Sequence, residues 1–209
     1  MVTIRETNLA FTRPLVPRKR TTRIVLHHTA GADVSAHTVH DWHLPRKGFY
    51  GIGYHYLVRA DGGIERGRPE HVRGVHASRA NADSIAIALT GNFETRPPTA
   101  PQLAALTRLV RDIRTRYQTQ AMSAEDRRLA SDLSADIARV SARTNDPTAQ
   151  AWFQRTHGGI SVYLDTQRKR LAEIYARYPV LSVIGHSDVG ATACPGRLFP
   201  WADLHRRIQ

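Results

Sequence analysis

Two apolar, strand-like runs near opposite ends of this chain each lead into a histidine. Ile24-Val25-Leu26 runs into the pair His27-His28, and Val180 to Ile184 delivers His186. Between these runs lie mostly helical patterns. A strand early, a strand last and helices between them predict an α/β chain: a mixed central β-sheet flanked by helices, with chemistry-bearing residues at strand ends and in loops.

His186 opens the segment His186-Ser187-Asp188-Val189-Gly190-Ala191-Thr192-Ala193-Cys194-Pro195-Gly196. Its spacing from His186 to Cys194 suits a loop and not one helical face, and Pro195-Gly196 stiffens the chain after the thiol. Two nitrogen ligands and one sulfur ligand with a fourth position left to water is the pattern of a hydrolytic zinc site, not of a closed structural one. Cys194 is the only cysteine of 209 residues, so no intrachain disulfide forms. A lone thiol is otherwise a small core residue. His27 and His28 are neighbours on a strand and point to opposite faces, so only one of them can ligate easily.

The remaining elements follow from local patterning. Ser35 to His43 reads as a short helix capped by Ser35, with Val39 and Trp42 on one face. Gly48 to Gly53 reads as a glycine-rich turn. Tyr54 to Arg59 reads as a strand, Ala60-Asp61-Gly62-Gly63 as a hairpin turn into Ile64-Glu65-Arg66, and Ser84 to Leu89 as a further strand. Helices are expected from about 101 to 117, with Leu103, Leu106, Val110 and Ile113 buried, and over 123–143, with Leu129, Leu133, Ile137 and Val140 as its stripe. Asn145-Asp146-Pro147 reads as the break that ends the second of these. A third helix is expected over 161–177, stopped by Pro179. His40 and His43 have helical spacing that suits a metal, but read as surface polar residues beside Trp42.

Four blocks resemble, in order, the zinc-dependent N-acetylmuramoyl-L-alanine amidase family of phage lysins and peptidoglycan recognition proteins. They are Ile24-Val25-Leu26-His27-His28-Thr29-Ala30-Gly31; Gly51-Ile52-Gly53-Tyr54-His55-Tyr56; Arg66-Gly67-Arg68 with Gly74-Val75-His76-Ala77; and the His186-to-Cys194 block. The resemblance covers roughly 20–118 and 180–202. It implies that His27, His186 and Cys194 hold zinc, leaving His28 a structural or supporting role. The implied activity is hydrolysis of the amide between the lactyl group of N-acetylmuramic acid and L-alanine in peptidoglycan. Tyr54 matches a family tyrosine that hydrogen-bonds the metal-bound water or the developing oxyanion; its alternative is a core aromatic. Thr192 stands where members carry lysine or threonine and brings a hydroxyl without charge. His76, Arg79 and Asn81, with Trp42, are candidate substrate contacts. Asp188 either orients His186 or a neighbouring backbone group, or caps the loop. Where some members carry a glutamate base this chain has Ala88, which favours a tyrosine-type lysin mechanism.

Residues 119–179 depart from the family, which connects these elements briefly. They read as a helical insertion before the last strand, inside one amidase domain spanning 1–209. Its possible purposes are a packed decoration, a cleft wall, a dimer surface or a basic arm. The formal charge of +12 suits peptidoglycan and anionic envelope polymers as partners. Arginine is spread along the chain, so a nucleic-acid partner is not expected. No apolar run reaches the ~20 residues of a membrane span. The start Met1-Val2-Thr3-Ile4-Arg5-Glu6 lacks a secretory signal, so synthesis in the cytoplasm and release to the wall through a partner's membrane hole, as for an endolysin, are expected. The rival readings are a non-catalytic peptidoglycan-recognition module and a regulatory binding protein.

Overall fold

A computed structural model describes residues 2–46 and 49–209. The turn expected from Gly48 therefore lies partly outside the described residues. The chain divides into two compact units: one runs through Arg114 and resumes at Leu181–Gln209, and the other is Thr115–Val180.

The first unit carries a five-stranded mixed sheet in the order β3-β2-β4-β1-β5. β1 (Arg23–His28) lies between β4 (Ser84–Leu89) and β5 (Ser182–Gly185) and is parallel to both. β2 (Tyr56–Val58) is parallel to β4 and antiparallel to β3 (Ile64–Arg66), across the expected hairpin turn. β4 is buried throughout and apolar after Ser84, and β1 is buried after Arg23 with Ile24, Val25 and Leu26 as its apolar centre, as strands covered on both faces require. The strand expected over 54–59 is shorter than its pattern, because Tyr54 and His55 are spent on the approach to the sheet.

α1 (Ala36–His43) starts at Ser35, whose hydroxyl accepts the Thr38 N–H. Its buried face is Ala36, Val39, His40 and His43, while Trp42 is exposed. This overturns two expectations: Trp42 does not share the buried face with Val39, and His40 and His43 are not surface residues. The N-terminal two-thirds of α2 (Ala100–Ala121) buries Leu103, Leu106, Leu109, Val110 and Ile113. Gln102 donates to the Val58 and Thr90 carbonyls at 3.0 and 2.9 Å, and Arg114 Nε to that of Leu181 at 2.9 Å. A last helix, α6 (Trp201–Ile208), has no counterpart in the sequence reading.

The second unit is helical: α3 (Ala124–Ser141), α4 (Pro147–His157) and α5 (Ile160–Ala176). Two small cores form within it, one around Met122, Ala130, Leu133 and Ile174 and one around Val140, Ala149, Phe153 and Leu164. Leu129, expected in the stripe of α3, is exposed, and Ala130 takes its place. Pro147 is not only a break. Asp146 accepts the Thr148 and Ala149 N–H groups, and Pro147 begins α4 where its missing N–H costs nothing. Gly158 closes α4 in the left-handed conformation. Among the described residues no helix is long and apolar enough to cross a membrane.

Candidate metal centre

The register of β1 on β5 pairs Leu26 with Gly185. The next residues, His27 and His186, therefore emerge side by side at the carboxyl ends of parallel strands, where open α/β sheets place their sites. His186 opens a 3-10 turn, His186–Asp188. Asp188 accepts the Gly185 N–H at 2.7 Å, so of the roles expected of it the structure shows the contact with a neighbouring backbone group. The loop then returns. Ser187 donates to the Cys194 carbonyl at 2.9 Å, and Cys194 N–H donates to Thr192 Oγ1 at 3.2 Å. Gly196, at φ +107°, lets the returning chain lie against the backbone of Phe93, where a Cβ would come within 2.5 Å of the Phe93 carbonyl carbon.

The result brings one ligand-type atom each from His27, His186 and Cys194 within 4.8 Å of one another. His27 Nδ1 stands 3.6 Å from Cys194 Sγ. Zinc–nitrogen and zinc–sulfur bonds of about 2.1 and 2.3 Å at a tetrahedral angle give a nitrogen–sulfur edge of about 3.6 Å. The donor set and this edge fit a zinc ion. Burial keeps the His27 imidazole well below its usual pKa, helped by the neighbouring His186 and His28, so it offers a neutral nitrogen. Burial also pushes the Cys194 thiol up to about 11, partly offset by the His28 N–H that reaches its sulfur at 3.4 Å. A cation at this point would offset the remaining cost of the thiolate.

A chain of hydrogen bonds decides which nitrogen of His27 is free. Ser84 Oγ donates its single proton to the Ala80 carbonyl at 2.6 Å. It must therefore accept at its 3.1 Å contact with His76 Nε2. His76 Nδ1 is then the acceptor for His27 Nε2–H at 3.0 Å. The lone pair of His27 lies on Nδ1, on the side of Cys194. Asn81 Oδ1 supports this chain by accepting the N–H groups of His76 and Ala77 at 2.8 and 3.0 Å. We expect His76→Ala to weaken metal affinity by about 10–100-fold with the fold retained. Competition against a chromogenic chelator measures it, and wild-type affinity would rule out the orienting role.

Tyr54 packs its ring 5.0 Å from that of His27 and 5.5 Å from that of His43. Burial, and then the Cys194 sulfur, raise its phenol well above the ordinary range, so it stays a donor. Its backbone is held at close quarters. A Cβ on Gly53 would meet the Val75 carbonyl oxygen at 2.0 Å, and Arg68 N–H donates to the Tyr54 carbonyl at 2.8 Å. His40 Nδ1 and His43 Nδ1 accept the N–H groups of Ile52 and Gly53 at 3.2 and 3.0 Å. The two helix histidines thus fasten the segment that carries Tyr54. His28 faces the other side, accepting the Phe93 N–H at 3.0 Å. Ala88 is in register with His27 and lies in an apolar cluster with Ala36, Val39, Ile52 and Leu57, so no carboxylate stands there.

Of the other sequence candidates, Thr192 is exposed on the returning loop, and its hydroxyl proton is not used by the Cys194 N–H. Arg79 and Trp42 are exposed and not buried with the cluster. Asn81 also lines a cavity of about 270 Å³ with Tyr50, Arg68, Arg73 and Val75.

The fold and the cluster define a class: a mixed α/β domain with a nitrogen–nitrogen–sulfur ligand set at the carboxyl ends of its strands. The chain belongs to the N-acetylmuramoyl-L-alanine amidase family Amidase_2, whose model matches residues 17–149. That match stops short of His186 and Cys194, whose grouping with His27 rests on geometry. Peptidoglycan-recognition protein SC2 of Drosophila melanogaster is 34% identical over 102 residues, 45% of this chain and 55% of the relative. The endolysin of Klebsiella phage KP32 is 29% identical over 108 residues, 48% of this chain and 71% of the relative. The chain thus spans about half the length of the first of these curated relatives. Among solved structures, the amidase LysC of Clostridium intestinale aligns over 100% of this chain and 98% of its own, with a TM-score of 0.65 and 25% identity. Drosophila peptidoglycan recognition protein SD shares the fold, with a TM-score of 0.59 at 19% identity over 97% of this chain and 94% of its own.

Proposed function

We propose that this chain is a zinc-dependent N-acetylmuramoyl-L-alanine amidase that cuts the bond between N-acetylmuramic acid and L-alanine in peptidoglycan. The observation that carries the reading is the His27 Nδ1–Cys194 Sγ edge of 3.6 Å, with His186 completing the set. His27, His186 and Cys194 would hold the ion. When bound, it supplies an acidified water and a polarised amide carbonyl. His76 and Ser84 hold the His27 ring in the ligating tautomer. Tyr54, kept protonated by burial, donates to the oxygen on which charge develops. Thr192 adds a neutral hydroxyl at the loop edge. The resemblance to the phage KP32 endolysin supports a phage or prophage role, with synthesis in the cytoplasm and action on the wall after release. Anionic polymers of the envelope are proposed as secondary partners of the basic surface.

The peptidoglycan-recognition relatives support a second reading, binding without hydrolysis. One assay separates the two. Purified protein is incubated with peptidoglycan, with and without a chelator, and new N-terminal alanine and new reducing ends are measured. The amidase reading expects chelator-sensitive alanine and no reducing ends. Zinc-loaded protein that binds several wall types and releases neither product would leave recognition alone.

A further inference from the structure

The helical unit holds its own concavity of about 450 Å³, within the size range of small-ligand sites. Four rings form its wall: Trp152, Phe153, His157 and Tyr163. Trp152 stands perpendicular to Phe153 with centroids 4.8 Å apart, and Tyr163 lies 4.9 Å from Phe153 and 4.7 Å from His157. Phe153 is buried in the small core of the unit, whereas Trp152 remains 48% exposed. The indole is braced from behind and presents apolar surface outward. Asp136, Arg139 and Arg143 line the same concavity. Asp136 accepts the Tyr163 hydroxyl at 2.7 Å and pairs with Arg139, and Arg143 pairs with Asp146 at 2.8 Å. Exposed pairs of this kind add little to stability. What they do here is set donors and acceptors beside an aromatic wall.

We propose that this concavity binds a glycan segment, a short run of β-1,4-linked N-acetylhexosamine. A pyranose ring has an apolar C–H face for the indole and a rim of hydroxyl and amide groups that both donate and accept. Two guanidinium groups and one carboxylate answer that rim. A polyanion fits less well, because Asp136 stands in the wall and both arginines already carry carboxylate partners. A cationic ligand would meet two guanidinium groups. The identity of the sugar rests on the peptidoglycan reading of the first unit; the presence of a site in the second does not.

The test is calorimetric titration of the full-length protein with chitotetraose, a peptide-free N-acetylglucosamine oligomer. Saturable binding to the wild type is expected, weakened at least about tenfold by Trp152→Ala, as for an aromatic anchor, and also weakened by Arg143→Gln. Arg96→Gln, an exposed change in the other unit, should titrate as wild type. Absence of binding by the wild type overturns the proposal, as does binding that neither Trp152→Ala nor Arg143→Gln alters. Trp152-dependent binding of poly(glycerol phosphate) without binding of chitotetraose also overturns it, in favour of a phosphate polymer. Because the readout is binding, a chain that proved not to hydrolyse peptidoglycan would leave the result intact.

Discussion

Replacing Cys194 by alanine is expected to yield a folded protein that loses its zinc on dialysis and hydrolyses peptidoglycan at background. Cys194 is buried, but the truncation deletes a single sulfur atom on a loop and so costs little apolar packing. It does remove the sulfur that receives the His28 N–H and stands 3.6 Å from His27 Nδ1. What remains is two imidazoles, His27 held neutral by burial and His186 lowered by the same cause. Two neutral nitrogens lack the anionic ligand of the full set. The loss should therefore exceed the ~100-fold that removal of a supporting contact alone can cost. Metal content after dialysis and alanine release from peptidoglycan are the two measurements, with circular dichroism as the check on folding. Full turnover by a metal-free Cys194→Ala protein would sink the mechanism.

Tyr54→Phe should behave in the opposite way: metal kept, rate lost. The ring stays in contact with His27 and His43, so packing and ligand orientation survive. The removed hydroxyl is the donor proposed for the oxygen that becomes negative as water adds to the amide. Donors of that kind are worth about 2.7–4 kcal/mol, or about 10²–10³ in kcat. Steady-state kinetics on a soluble muropeptide, alongside zinc content, check this. A variant within twofold of wild type would make Tyr54 a packing residue, the plainer of the two roles its sequence position allows.

Much of the fold was legible because strand ends, hairpin turns and capped helices leave local marks. His27 and His186 follow β-like runs, and Gly62-Gly63 sits in a β-hairpin turn. Tertiary demands account for what was missed. His40 and His43 show a spacing that suits a wet helix face equally well. They are buried because the backbone donors of Ile52 and Gly53 need acceptors, and nothing near either histidine in sequence records that need. Pro147 ends one helix and begins another, and only the Asp146 side chain on the following N–H groups reveals the second role. Leu129 is exposed because α3 packs against Ile174 of α5 through Ala130 and Leu133, a face that hydrophobicity alone does not single out. At the candidate site the residue types could be read, but not the nitrogen of His27 that faces the sulfur. That depends on Ser84 and His76, which reach it through contacts far apart in the chain.

The neighbouring positions of β1 and β5 have a consequence for biosynthesis. His27 leaves the ribosome early, whereas His186 and Cys194 are translated some 160 residues later. A nascent or prematurely terminated chain carries one imidazole of the trio and cannot assemble the centre. On the proposed mechanism, metal binding and hydrolysis then wait for the segment that carries Cys194, and fragments that stop before it claim no zinc.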